Sequence, residues 1–393
     1  MIRLMFSSLP IEIVLEVMYN MSSLDLIFVI GRVCKIWRDK VAMVVLSERL
    51  SSLCCSFNSS CRKISNFDNL RGSKEGRTLV RFLLRERTRE IAMQMVQYTA
   101  MSSPLPEFSS VSIPPLSVMQ EIQILKTYFE DFVKMEPTQN STHVSNQGNE
   151  TTPTTENGGI FASIFKLFGG LFHTSSCNSN TSPSRNETSQ QLPNSLINTK
   201  MVSYGCYGVG KTAFKDCLME EKVVTPNISS ATIGVEFSFK KVSICCERTA
   251  DTRNKNSNEL CELFSSKLQL WDHRGLEFRH SRYYFKNCSF LFLIFDTTNS
   301  RSFDTHNFIT IMKNIGKEHN TDFKNTEVIL IGTMNDLTTH RRVSKDQAQM
   351  TAFNEMCILY FDVTNTSLQD STTILWYLML MRYFLTEREV SQP

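Results

Sequence analysis

Gly205-Cys206-Tyr207-Gly208-Val209-Gly210-Lys211-Thr212 is the stretch that decides how the C-terminal half is read. It fits G-x-x-x-x-G-K-[ST], with an apolar run at Met201–Tyr204 before it and a helical pattern opening near Lys211. Glycines in such a turn let successive backbone N–H groups face inward around phosphate oxygens, and the helix N-terminus adds positive potential. Gly205, Gly208, Val209 and Gly210 would supply that cradle. Lys211 would reach the β- and γ-phosphates, and the Thr212 hydroxyl would ligate Mg²⁺. A glycine-rich turn carrying a surface lysine is the plainer alternative; a strand before and a helix after count against it.

Working outward, strand-like apolar runs recur at Lys267–Trp271, Phe290–Phe295, Val328–Ile331 and Ile358–Phe361, with helical patterns between them. Short buried strands separated by helices predict an α/β domain, a P-loop NTPase-type mostly parallel sheet flanked by helices. The 393 residues allow two or three folding units. At 41% hydrophobic and 21% charged residues most of the chain can bury a core. A formal charge of +3 is too near balance to indicate nucleic-acid binding. Twelve cysteines without a C-x-x-C pair read as reduced thiols in a cytoplasmic protein rather than zinc ligands. The longest apolar run, Ile374 to Met381, is too short to span a membrane, and no C-terminal prenylation cysteine is present, so no lipid anchor is expected.

Composition divides the chain into 1–48, 49–136, 137–198 and 199–393. Residues 137–198 hold 28 Ser, Thr or Asn among 62 positions, which predicts a flexible linker. An apolar island, Ile160–Phe172, interrupts it. The 49–136 stretch reads as a helical extension, and Glu247–Leu260 as a polar surface loop between two strands. The helix over Thr373–Arg382 is apolar nearly all round, so one side of it is expected to pack on another element, with the N-terminal module a candidate.

Beyond the phosphate loop lie Thr232-Ile-Gly-Val-Glu-Phe237, then Trp271-Asp272-His-Arg-Gly275, then Thr333-Met-Asn-Asp336 after an apolar strand. With these motifs in this order, the region from Thr199 onward closely resembles Rab-type small GTPases. The resemblance implies GTP and Mg²⁺ as ligands. It makes Thr212 and Thr232 metal ligands, has Asp272 hold the metal through water, and lets the Gly275 amide sense the γ-phosphate. It places Asp336 and Thr364 at the guanine base. Two departures stand out. The family has Gln after D-x-x-G, where this chain has Leu276. An isobutyl group can neither donate nor accept a hydrogen bond, so it cannot orient the attacking water, and slow or absent hydrolysis is expected. The family's N-K-x-D reads Thr333-Met334-Asn335-Asp336, which keeps the carboxylate for guanine N1–H and its amino group but replaces the Asn amide.

At the other end, Leu9-Pro10-Ile-Glu12-Ile13 opens a helix, Ser22-Ser23-Leu24-Asp25 restarts one, and Val33-Cys34-Lys35-Ile-Trp37-Arg38 follows. This pattern resembles the F-box, an all-helical module. The resemblance implies docking on a Skp-family adaptor of a cullin ubiquitin ligase, with Leu9, Pro10, Ile13, Leu24 and Trp37 facing the partner. The combined expectation is a GTP-binding F-box subunit with impaired hydrolysis, whose switch face receives an effector or substrate protein. Two other readings stay open on the residues alone: a hydrolysing Rab-like small GTPase in vesicle trafficking, and a nucleotide-free pseudo-GTPase scaffold.

Overall fold

The computed structural model describes residues 11–29, 42–54, 72–102, 111–112, 114–134, 197–223, 235–247, 260–273, 285–318, 326–364 and 367–386. The chain forms two compact units, residues 1–136 together with 195–393, and residues 137–194; every described residue belongs to the first. The apolar island and the polar stretch 248–259 lie outside the described residues.

Helices α1 (Ile11–Asn20) and α2 (Ser23–Phe28) meet at the restart expected at Ser22. The reason is a capping box: the Asp25 N–H donates to Ser22 Oγ at 3.1 Å, and the Ser22 N–H donates back to Asp25 Oδ2 at 3.2 Å. Helix α3 (Met43–Cys54) sends Arg49 back to the end of α1, where its guanidinium donates to Met21 O at 2.7 Å and Tyr19 O at 2.8 Å. Two long helices follow, α4 (Lys74–Ser102) and α5 (Leu116–Lys134). Between them a two-residue strand, β1 (Val111–Ser112), departs from the purely helical extension expected there. Tyr128 of α5 stacks on Phe28 of α2 at 4.9 Å and donates to Asp25 Oδ1 at 2.5 Å. Leu24, expected to face a partner, is instead buried in the same core, because α2 lies against α4 and α5.

The C-terminal half builds a sheet from β2 (Ile197–Tyr204), β3 (Val235–Glu247), β4 (Leu260–His273), β5 (Phe290–Asp296), β6 (Glu327–Thr333) and β7 (Leu359–Asp362). Strand β2 starts at Ile197, inside the stretch read as linker, because Ile197 and Asn198 pair with Ser266 and Lys267 of β4. With β1 added the order is β1-β3-β4-β2-β5-β6-β7, antiparallel only between β3 and β4. Helices α6 (Lys211–Glu220), α7 (Thr305–Glu318) and α8 (Lys345–Thr351) connect strands, and α9 (Leu368–Leu385) follows β7. Phe290–Phe295 is buried at every position, as a strand covered on both faces must be.

Helix α9 explains why the N-terminal helices belong to this unit. From Ser371 to Phe384 every residue except Thr373 is buried. The sheet covers one side and α4 with α5 the other. Phe129 of α5 stacks on Phe384 at 5.0 Å, and Phe361 of β7 meets Tyr377 at 5.5 Å. Full burial of side chains this large contributes about 1.5–3 kcal/mol each. Deep in the contact, Arg85 of α4 donates through Nη2 to Glu327 Oε2 at 2.7 Å, while its Nε lies 2.6 Å from Oε1. Tyr377 donates to Glu327 Oε1 at 3.1 Å, and Arg85 Nη1 donates to Cys357 O at 3.1 Å. Burial beside the Glu327 carboxylate holds the Tyr377 phenol well above its ordinary pKa.

A buried charge left without its partner is far costlier than an apolar pair of similar volume. Arg85→Ala should therefore destabilise the chain by about 3–5 kcal/mol, whereas Arg85→Met combined with Glu327→Leu and Tyr377→Phe, which removes both charges and the hydroxyl that Glu327 accepts from, should cost clearly less in chemical denaturation.

Candidate nucleotide-binding site

The sheet order reverses at β2, which has β4 on one side and β5 on the other. Ligands of open α/β sheets bind at the carboxyl ends of strands beside such a switch point. The glycine turn sits there. Gly205 cannot be replaced without rearrangement, since a Cβ would stand 2.2 Å from Ile294 O. Gly210 has φ +84 and caps α6, a left-handed conformation that glycine adopts without strain. Val209 is buried under the turn, and Gly208 lies exposed at its crest.

Lys211 curls back beneath the turn and donates to Cys206 O at 2.7 Å and Gly205 O at 3.2 Å. Burial pushes its ammonium below the ordinary lysine value, opposed by the nearby Asp272 carboxylate. Thr212 donates to Asp272 Oδ2 at 2.6 Å. Asp272 is wholly buried at the end of β4, and its second oxygen accepts from Ser203 Oγ of β2 at 3.0 Å. The structure thus brings the Thr212 hydroxyl and the Asp272 carboxylate together, oxygen donors of the hard kind that Mg²⁺ takes. Ser203 was not singled out. Its signal was a serine inside an apolar strand immediately before the glycine turn.

The base-side loop follows β6. Thr333 is wholly buried, and its hydroxyl lies 2.7 Å from Val209 O and 3.0 Å from Phe295 O. It donates its one proton to that pair of carbonyls and so ties this loop to the phosphate loop. Met334 takes the left-handed conformation, φ +58, and turns the chain outward to Asp336, which is exposed. Asn335 is engaged by Arg341, whose Nη1 donates to Asn335 Oδ1 at 2.7 Å while Nη2 donates to Asp362 Oδ1 at 2.7 Å. The Asn335 N–H donates to Val363 O at 3.3 Å, and the Thr364 N–H donates to Asp370 Oδ2 at 2.9 Å, so Thr364 lies beside the same loop. Arg341 escaped the sequence reading because it lies after the motif it holds.

Thr232, Gly275 and Leu276 lie outside the described residues, as do Leu9, Pro10 and Trp37. Ile13 lies within α1, and its side chain is not among those described.

Replacing the hydroxyl at 333 while keeping its shape isolates the tie. Thr333→Val should cost about 1–3 kcal/mol of stability by orphaning buried carbonyls, and Thr333→Ser should restore most of it, both read from chemical denaturation of the full chain.

Comparison with known proteins agrees with this geometry. The family model described as the Ras family matches residues 200–379, and the F-box domain model matches residues 6–49. Ras-related protein Rab-27B of Bos taurus is 30% identical over 168 residues, 42% of this chain and 70% of that protein. Rab-27B of Rattus norvegicus is 29% identical over 189 residues, 47% of this chain and 80% of that protein. Ras-related protein RABD2a of Arabidopsis thaliana is 27% identical over 196 residues, 49% of this chain and 83% of that protein. With its switch-point glycine turn, its Thr212–Asp272 pair and this matching span, the chain belongs to the Ras family, in a form that carries an F-box domain on its N-terminal side.

Proposed function

We propose that this protein is an F-box subunit of a Skp–cullin-type ubiquitin ligase whose Ras-family domain holds GTP and hydrolyses it slowly or not at all. The observation that carries the nucleotide reading is the convergence of Lys211, Thr212, Asp272 and Ser203 under the glycine turn. Gly205 to Gly210 would offer backbone N–H groups to the phosphates, and Lys211 would leave its carbonyl acceptors for phosphate oxygens. Thr212, with Thr232 from the segment before β3, would ligate Mg²⁺, and Asp272 would hold it through water. The ion would neutralise charge on the β- and γ-phosphates. Asp336 would select guanine through its paired donors, with Thr364 beside it and Gly275 sensing the terminal phosphate.

Leu276 is the reason for expecting a long-lived triphosphate state. Hydrolysis in Ras-type domains without outside help is already about 10⁻⁴ per second, and it depends on a side chain that orients water. The F-box half would engage the Skp-family adaptor through Leu9, Pro10, Ile13 and Trp37, leaving an effector or substrate for the switch face. No nucleic-acid partner enters this reading, and the cytoplasm is its compartment.

Two measurements test it. Guanine nucleotide should be extractable from the purified chain, or load into it with Mg²⁺, and Leu276→Gln should raise single-turnover hydrolysis by about tenfold or more; an empty chain that stays empty in excess GTP defeats the nucleotide reading. The full chain should retain a purified Skp-family adaptor, and Leu9→Asp combined with Pro10→Ala should abolish retention while leaving nucleotide loading intact.

A further inference from the structure

The pairing of β3 with β4 ends, on the side away from Asp272, with two cysteines at one register position: Cys246 stands directly opposite Cys261. An irregularity brings them there. Up to Ile244 the register is uniform, with Ser243 opposite Ser265 and Ile244 opposite Phe264. Between Ile244 and Cys245 it shifts, so that Cys245 faces Glu262, Leu263 is left without an opposite number, and Cys246 faces Cys261. Continued without the shift, the same register would set Cys246 opposite Glu262 and Cys261 opposite Glu247. A bulge that adds one residue to one strand re-aims everything beyond it, and here it matches two thiols.

The backbone geometry of such a position suits a covalent link. Directly opposite residues of an antiparallel pair share a face, with Cα atoms about 4.5 or 5.5 Å apart according to the hydrogen-bonding type of the pair. A cystine spans Cα separations of about 4.4–6.8 Å, so either type fits. Three positions earlier on β3, opposite side chains of these strands do meet, with Ser243 Oγ 2.6 Å from Ser265 Oγ. Cys245 is buried, and strand alternation assigns it to the other face from Cys246.

We propose that Cys246 and Cys261 form a redox-sensitive dithiol, which a low-molecular-weight disulfide such as glutathione disulfide converts to an intramolecular cystine. One thiolate attacks a sulfur of glutathione disulfide, making a mixed disulfide and expelling one glutathione thiolate. The other attacks the protein sulfur of that mixed disulfide and expels the second. The two thiol protons end on the two glutathiones; the protein gives up two electrons and glutathione disulfide takes them. The cystine ties together the two ends of the polar stretch 248–259 and fixes the bulged register. In a reducing compartment such links are transient and sensing rather than structural, so the dithiol is the resting form. The inference goes beyond the nucleotide reading and stands whether or not the phosphate loop is loaded.

The test oxidises the folded full chain with millimolar glutathione disulfide, blocks free thiols and digests with trypsin without reduction. Cleavage after Lys241, Arg248, Lys255 and Lys267 leaves Cys245 and Cys246 on peptide 242–248 and Cys261 on peptide 256–267. Mass spectrometry should find these two peptides joined, and dithiothreitol should separate them. The link should persist in Cys245→Ser and be lost in Cys246→Ser and in Cys261→Ser. In denaturing urea, where no register exists, Cys246→Ser should regain a link through Cys245. Four results overturn the proposal: no joined peptide from the folded parent, a link that survives in folded Cys246→Ser, a link between two chains in non-reducing electrophoresis, or glutathione held on both cysteines without closure.

Discussion

Helix α9 is the constraint on which the rest of this unit depends. Its side chains are apolar around the whole circumference, and a helix of that kind has to be covered on every side. The sheet offers one surface. The other comes from α4 and α5, so helices that follow the F-box match complete the core of the Ras-family domain. The ion pair of Arg85 with Glu327 lies in that contact and marks its register, since no shifted packing would satisfy both charges. Asp25, at the head of α2, is in turn held by Tyr128 of α5, so the short helices are fixed through the long ones.

If the chain acts as proposed, as a ligase subunit, a fixed distance between an adaptor-binding end and a substrate-binding end would help it present a substrate. Here the first and second halves share one continuous hydrophobic cluster running from Met18 to Phe384. Contacts also continue toward the base-side loop. Arg89 of α4 donates to Tyr360 O at 3.3 Å, and the Tyr360 hydroxyl accepts from Arg341, which holds Asn335. Thr333, two residues before Asn335, reaches the phosphate loop. These bonds form a contiguous physical connection from the phosphate loop to the N-terminal helices. Contiguity becomes energetic coupling only where one element has two arrangements that both ends bias.

The base-side loop also shows how a degraded motif keeps its shape. Thr333 lacks the amide expected at its position, yet its hydroxyl occupies the junction between two loops and satisfies carbonyls there. On the proposed reading a donor toward the base is lost, while the tie from Thr333 to Val209 O of the phosphate loop is kept. On the proposed nucleotide reading, that combination would weaken affinity rather than remove it.

Local spacing determined the phosphate loop, its strand and helix, the Asp272 position and the cap at Ser22, because each rests on backbone geometry within a few residues. The all-round apolarity of α9 was equally plain, and it required a second covering surface. Which surface that would be was a tertiary matter: Arg85 and Glu327 are separated by most of the chain, and nothing local pairs them. The same holds for Ser203 beside Asp272, for Thr333 beneath Val209 and for Cys246 across from Cys261. Periodicity says which face a residue takes, but only the strand register and the packing of distant helices decide which side chains meet on it.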